Sequence, residues 1–113
     1  MKSNDMRDKV ELVVNGFKIT SYKRRRLKNN MIESKILYLN WSDMEKIVVE
    51  EDEKENATSI LLITRLGKKY LIYPPKLGKV TLDQAIKHII KHKDKNFKVI
   101  FFDVINYMIK QSY

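Results

Sequence analysis

The stretch from Ile36 to Tyr73 constrains the fold more than any other part of the sequence. It opens with a run whose side chains alternate between two faces, with Leu37, Leu39 and Trp41 on one and Ile36 and Tyr38 on the other. Aromatic and branched residues at a period of two are typical of a half-buried β-strand. Ser42 and Asp43 then favour a turn, because their side chains compete for backbone hydrogen bonds.

Three further runs of this stretch have the pattern of strands. Residues 45–50 alternate again after the turn, and Ser59–Arg65 is joined to Lys68–Tyr73 at Leu66-Gly67. Glycine suits that junction because it adopts positive φ at little cost. The stretch therefore predicts four antiparallel strands, with the rest of the chain packed on them.

An earlier hairpin is indicated by Asn15-Gly16, which lies between alternating runs that extend from Val10 to Tyr22. This dipeptide is the strongest short signal for a type I′ turn, in which both central residues have positive φ. We therefore predict a hairpin over Val10–Tyr22.

A helix is predicted over Thr81–His92. Thr81 and Gln84 have the spacing of a capping box. The apolar stripe expected to cover the sheet together with Trp41 consists of Leu82, Ala85, Ile86, Ile89 and Ile90. Before the helix, Pro74-Pro75 should end the last strand because proline cannot donate to a ladder, and residues 76–79 should form a loop.

His88 and His92 have the i, i+4 spacing of two metal ligands on a helix. No Glu follows His88, no third ligand is evident and lysines surround the pair. The sequence therefore favours exposed helix histidines and predicts no metal site.

The segment after the helix allows two interpretations. Helical spacing would make Phe97, Phe101, Val104 and Met108 core residues and leave Phe102 and Ile109 as candidates for contact with a partner or a second subunit. Alternatively, residues 97–102 form a further strand that precedes a short helix.

Composition limits the class of protein. The 113 residues suit a single domain, and the absence of cysteine excludes disulfides, thiolate nucleophiles and Cys-ligated zinc. No apolar run approaches the roughly 20 residues that span a bilayer, and the first eight residues lack the apolar segment of a signal peptide. The expected location is the cytoplasm, either free or peripheral to a membrane.

Charge is concentrated at the two ends of the chain. The formal net charge is +9, with +5 in residues 1–34, −1 in residues 35–73 and +5 in residues 74–113. The densest basic run contributes the candidate anion-binding residues Lys23, Arg24, Arg25, Arg26 and Lys28. Such a run either binds phosphates, on lipid head groups or nucleic acid, or is a solvated loop that blunts a sheet edge. The acidic run over residues 50–56 is typical of a solvated loop.

The order of these segments resembles bacterial pleckstrin-homology-like and GRAM-type domains. The resemblance rests on the step from Trp41 to Ile47 ahead of a strand, on Gly67-Lys68-Lys69-Tyr70 in a later hairpin, and on the helix that follows. It implies an α+β fold in which a strongly bent antiparallel sheet, a partly open barrel, is closed by the C-terminal amphipathic helix. This core would span residues 9–93, with residues 97–113 as an apolar extension outside the resemblance. Members of the family are binding scaffolds, and some bind lipid head groups through basic residues between their first two strands.

The sequence carries no enzyme signature. It has no nucleophile elbow, no glycine-rich phosphate loop and no His–carboxylate cluster. We therefore expect a non-catalytic binding module without a cofactor, acting at an anionic membrane surface or on a protein partner. The alternatives are a small basic nucleic-acid-binding protein, and a regulatory or immunity-type protein that docks a target through its C-terminal segment.

Overall fold

The computed structural model describes residues 8–24, 32–92 and 97–103; the side chains of Lys23, Arg24, Ile32 and Glu33 are outside the description. The fold is α+β. Its strands are β1 (Lys9–Val13), β2 (Gly16–Arg24), β3 (Ile32–Asn40), β4 (Met44–Glu51), β5 (Ala57–Thr64), β6 (Lys69–Ile72) and β7 (Lys98–Asp103). The helices are α1 (Pro74–Leu77) and α2 (Leu82–Ile90), and a 3₁₀ turn covers Trp41–Asp43.

The strands form two open sheets. The first has the order β1-β2-β3, and the second has the order β6-β5-β4-β7. All pairs are antiparallel except that of β4 with β7, which is parallel. The four strands predicted between Ile36 and Tyr73 are present, but β3 belongs to the first sheet. The turn at Ser42 and Asp43, where the Asn40 N–H donates to Asp43 Oδ2 at 2.9 Å, divides the chain between the sheets.

The first hairpin is confirmed, but its turn differs from the predicted one. The loop consists of Val14 and Asn15, because Val13 pairs directly with Gly16. Gly16 has a φ of +149°, whereas Asn15 has no positive φ, so the turn is not type I′. A Cβ built on Gly16 would lie 1.9 Å from the Leu39 carbonyl oxygen. Glycine is therefore required here by the close approach of β3 as well as by its backbone conformation.

Helix α2 begins as predicted, since the Gln84 N–H donates to Thr81 Oγ1 at 3.1 Å and the Thr81 N–H donates to Gln84 Oε1 at 2.9 Å. Its buried residues are Leu82, Ala85 and Ile89, and Ile86 is half-buried. Ile90 is 40% exposed, so its assignment to the buried stripe was wrong. At 100° per residue Ile90 lies about 80° around the helix from Leu82, at the margin of the apolar face.

One hydrophobic core joins both sheets and both helices. It contains Val10, Phe17, Ile19 and Leu39 of the first sheet; Met44, Ile47, Val49, Ile60, Leu62 and Ile72 of the second; and Trp41, Leu77, Leu82, Ala85, Ile89 and Phe97. The predicted alternation in β3 is confirmed, because Leu39 and Trp41 are buried while Ile36 and Tyr38 are about half exposed.

The segment after β6 is not the predicted loop throughout. Pro74 and Pro75 end the strand as expected, but they also occupy the first positions of α1. Proline is favoured there because its φ suits a helix and the missing N–H would have no intrahelical partner. The short helix brings Leu77 into the core, where it is 5% exposed.

The strand interpretation of the C-terminal segment is confirmed by β7, and Phe97 is buried as predicted. Phe101 was predicted to be core, which is wrong, since it is 51% exposed. It lies on an edge strand and lines an open cavity beside the first turn of α2. Val104, Met108 and Ile109 lie outside the described residues.

Candidate functional site

Two of the predicted anion-binding residues, Lys23 and Arg24, lie at the far end of the paired strands β2 and β3. The ladder continues to Lys23 opposite Glu33 and Arg24 opposite Ile32, and the chain between these strands contains Arg25, Arg26 and Lys28. Those three residues are outside the described part of the chain, so the structure places only the strand ends that hold them. We call the segment over residues 23–28, with these five cations, the basic tip.

The ends of β2 and β3 next to the basic tip extend beyond the part of the sheet in which β1 is paired. The pairing of β1 begins at Lys9 opposite Thr20, whereas β2 and β3 remain paired for four more residues, from Ser21 to Arg24. At about 3.3 Å per residue, this continued pairing of β2 with β3 is about 13 Å long. From residue 23 to residue 35 the sequence holds six cations and one acid, Glu33. The register places Lys23 and Arg24 of this basic stretch at one end of the sheet.

The proposed partner-contact residues are only partly placed. Phe102 lies in β7 opposite Glu50 and is half-buried, while Ile109 is outside the described residues. Contact of this segment with a partner stays a prediction. Two other residues of β7 are more open to solvent than Phe102: Ile100 is 39% exposed and Phe101 is 51% exposed. Their exposure follows from the parallel pairing of β7 at the sheet edge, for which the sequence gives no local signal.

The two histidines are not exposed, which corrects the sequence expectation. Both are half-buried against Trp41, with ring centroids 5.0 Å from it for His88 and 4.8 Å for His92, and the His92 ring is nearly parallel to the indole. Phe97 stacks on Trp41 as well, at 5.5 Å. Histidine rings present an apolar body together with a polar edge, and here the apolar body packs on the indole.

Hydrogen bonds from this cluster hold the β1–β2 turn. Trp41 Nε1 donates to the Val14 carbonyl at 3.0 Å, and the Trp41 backbone N–H donates to the Asn15 carbonyl at 2.8 Å. His88 Nε2 lies 3.0 Å from the Gly16 carbonyl oxygen, which can only accept, so this nitrogen carries the proton. Three successive carbonyls of the turn are therefore satisfied by two side chains and one backbone group.

The polar edges of the histidines thus have structural partners. His92 Nδ1 lies 3.0 Å from the His88 carbonyl oxygen and by the same reasoning donates to it. Within the described residues, no group of three or more His, Asp or Glu side chains is placed to hold a metal ion. The cluster of Trp41, Phe97 and the two histidines packs the first hairpin, α2 and the residue before β7 against one another.

The acidic loop between β4 and β5 is held by one carboxylate. Asp52 Oδ1 accepts the backbone N–H groups of Lys54 and Asn56, both at 2.9 Å. The hydrogen bond from Asn56, followed by that from Lys54, lowers the pKa of Asp52 below its ordinary value, although desolvation opposes the shift. Glu55 takes a φ of +63° in the same turn. Residues 53–56 are exposed, as expected for a solvated loop, but Glu50 and Glu51 of the predicted loop belong to β4 and are half-buried.

Two of the open cavities formed by the described residues are large enough to consider as binding sites. One of about 420 Å³ lies between the acidic loop and α2 and is lined by Glu51, Glu55, Thr81, Asp83 and Phe101, among others. The other, of about 470 Å³, lies between β3 and the β5–β6 turn and includes Leu37, Tyr38, Arg65, Leu66 and Lys68. Among the described residues that line them, neither cavity combines a nucleophile with a hydrogen-bonded base, the geometry that nucleophilic catalysis requires.

No helix among the described residues is long and apolar enough to cross a bilayer. Comparison of the chain with protein-family models, with curated proteins and with solved structures finds no match.

Proposed function

We propose that this protein is a non-catalytic binding module that attaches to an anionic membrane surface through the basic tip. The observation that carries the proposal is the β2–β3 register, which continues to Arg24 opposite Ile32. This register carries Arg24, at the start of the cationic segment, about 13 Å beyond the Lys9–Thr20 pair at which the pairing of β1 begins. A charged segment in this position can meet a surface without disturbing the core.

The expected mode of binding is electrostatic and delocalised. The tip has no glycine-rich loop that would form a phosphate pocket. Near an anionic leaflet each Lys or Arg is worth about 1 kcal/mol, so the five cations would hold the protein reversibly and salt would weaken the attachment. Lipid is favoured over nucleic acid because no aromatic residue lies within residues 23–28 to stack on bases.

We also propose that the fold is related to pleckstrin-homology-like domains. Two successive antiparallel meanders, β1-β2-β3 and β4-β5-β6, followed by an amphipathic helix on the core support this. The parallel strand β7 is an addition to that pattern. A binding scaffold of this type needs no catalytic group, in agreement with the absence of an enzyme signature from the sequence.

The test is co-sedimentation with phosphatidylcholine vesicles that do or do not contain phosphatidylserine, at low and at physiological salt. The test variant is Arg24→Gln, Arg25→Gln, Arg26→Gln. Its matched control removes three exposed lysines elsewhere, by Lys79→Gln, Lys87→Gln and Lys91→Gln. Loss of three charges from the binding surface should weaken binding by about 100-fold, whereas the control variant should bind much more strongly than the arginine variant.

Two results would contradict the proposal. One is equal loss of binding in both variants, since this would mean that total charge rather than the basic tip decides affinity. The other is wild-type protein that ignores anionic vesicles but binds duplex or single-stranded DNA at the same salt concentration. Circular dichroism of both variants checks that the fold is unchanged.

A further inference from the structure

The second sheet has an outer face, on the side opposite α2, and the strand register arranges its side chains in rows. One row, the lysine row, contains Lys69, Ile63, Lys46 and Lys98, taken from β6 to β7. The next row, the aliphatic row, contains Leu71, Leu61, Val48 and Ile100 in the same strand order. Residues paired across neighbouring strands share a face, so each row crosses the whole sheet.

The aliphatic row is more exposed than the residues that alternate with it along the strands. Ile47, Val49, Ile60 and Leu62 point to the core and are fully buried. Leu71 and Ile100, at the two edges of the outer face, are 43% and 39% exposed, and Val48 and Leu61 between them are half-buried. Helix α2 packs on the core side, and the described residues place no helix over this row.

The lysine row has no acidic partner among the described residues. Lys46 and Lys98 are direct neighbours in the ladder, so their backbones are about 4.8 Å apart, and like charges in such a pair are unfavourable. No described carboxylate forms an ion pair with Lys46, Lys69 or Lys98. On the same face, Glu50 lies beyond the aliphatic row and accepts a hydrogen bond from Ser59 Oγ at 2.6 Å.

We infer that this outer face is a second membrane-contact surface, on which the lysine row meets anionic head groups and the aliphatic row enters the acyl region. An anionic lipid combines both properties that the face complements, a negative charge beside an apolar chain. Nucleic acid fits less well because the row beside the lysines is aliphatic and offers no stacking surface. A helix of a protein partner also fits less well. If it lay parallel to the strands, it would contact the lysine row at one point only, because the row runs across the strands.

The inference rests on the proposed function for the identity of the ligand, an anionic bilayer, but on different residues. The basic tip would supply attraction that salt weakens. The outer face would add apolar contact, which salt does not screen, so part of the binding is expected to persist at physiological salt.

The experiment uses the full chain, which has no native cysteine, so one introduced cysteine can carry an environment-sensitive fluorophore. The test site is Ile100→Cys, and the control is Lys87→Cys, an exposed position on α2 at the other side of the sheet. With phosphatidylserine-containing vesicles, the fluorophore at position 100 should shift to the blue and be quenched by lipids carrying acyl-chain quenchers. At position 87 neither change should occur. In addition, Lys46→Gln, Lys69→Gln, Lys98→Gln should weaken vesicle binding about 10- to 100-fold.

The outcomes separate this inference from the proposed function. Vesicle binding without any change at position 100 would overturn the second surface and leave the basic tip intact. If the triple arginine variant binds vesicles as well as the wild type and the triple lysine variant no longer binds, the outer face is supported and binding through the basic tip is refuted. Protein that binds no vesicles would refute both. A fluorophore at position 100 that is already in apolar surroundings in the free protein would show that another part of the chain covers the face, and would also overturn the inference.

Discussion

Replacement of Gly16 by alanine tests how the first hairpin is joined to the rest of the fold. Gly16 opens β2 with a φ of +149°, and an added Cβ would meet the Leu39 carbonyl oxygen at 1.9 Å and its carbon at 2.9 Å. Both contacts are with backbone, so no side chain can rotate away. Either β2 and β3 separate locally or the Val14–Gly16 turn moves.

The expected cost has two parts. A non-glycine residue in such a backbone conformation is strained by about 1–3 kcal/mol. Displacement of the turn also breaks hydrogen bonds to its three carbonyls, from Trp41 Nε1, Trp41 N and His88 Nε2. At about 1 kcal/mol each, loss of two of them brings the total to about 3–5 kcal/mol. This is a large fraction of the stability of a small domain, which is about 5–15 kcal/mol.

Urea denaturation followed by the fluorescence of Trp41, the single tryptophan, measures the free energy of unfolding. Gly67→Ala and Gly78→Ala are matched controls, because these glycines also have positive φ but an added Cβ meets no atom within 4 Å. The controls should lose about 1–2 kcal/mol through backbone strain alone. The excess loss in Gly16→Ala then measures the contact with Leu39. If all three variants lose the same stability, the close approach of β3 to Gly16 is not as the structure describes it.

Three further predictions concern stability. Ile89→Ala should lower the free energy of unfolding by about 2–5 kcal/mol in urea denaturation, because Ile89 is fully buried. Ile90→Ala should lower it by less than about 1 kcal/mol, because Ile90 is 40% exposed. Equal losses would contradict the orientation of α2. Trp41→Phe should cost about 1–3 kcal/mol by circular dichroism, since it leaves a turn carbonyl without its donor, and an unchanged midpoint would refute that hydrogen bond. The pKa of Asp52 is lowered in the folded state, chiefly by the hydrogen bond from the backbone N–H of Asn56. The ionised carboxylate therefore stabilises the fold above the ordinary pKa of about 3.9, and this stabilisation is lost as the pH falls through the lower pKa of the folded state. Asp52→Ala should therefore be destabilised at neutral pH, and the difference from wild type should shrink in acid; a difference independent of pH would contradict the hydrogen-bonded loop.

The local elements could be predicted from the sequence because their signals lie within a few residues. The capping box of Thr81 and Gln84, the alternation in β3 and the end of β6 at Pro74 all depend on side chains and their immediate backbone. Even the mistaken turn at Asn15 placed the hairpin correctly, because the alternating strands fix its approximate centre. The turn type could not be predicted, since Gly16 is required by Leu39, a residue of the next strand.

Exposure was predicted poorly wherever it depends on a distant partner. His88 and His92 have a polar, lysine-rich surrounding in sequence, yet they pack on Trp41 because α2 crosses the end of the first hairpin. Phe101 has helical spacing with Phe97, but the segment is a strand that pairs in parallel with β4 and leaves Phe101 at an open cavity. A parallel pairing has no signature in the turn between strands, because the strands are far apart in the chain.

The sequence by itself determined the class and order of β1 to β6 and of α2, and the concentration of positive charge in the basic tip. Only the tertiary structure decided which strands are neighbours, and with it the lysine row and the aliphatic row of the outer face. Lys46, Lys69 and Lys98 are separated by 23 and 29 residues along the chain and become one row through three strand pairings. Side-chain periodicity encodes the face on which a residue lies, but the register between distant strands follows from how the whole core packs.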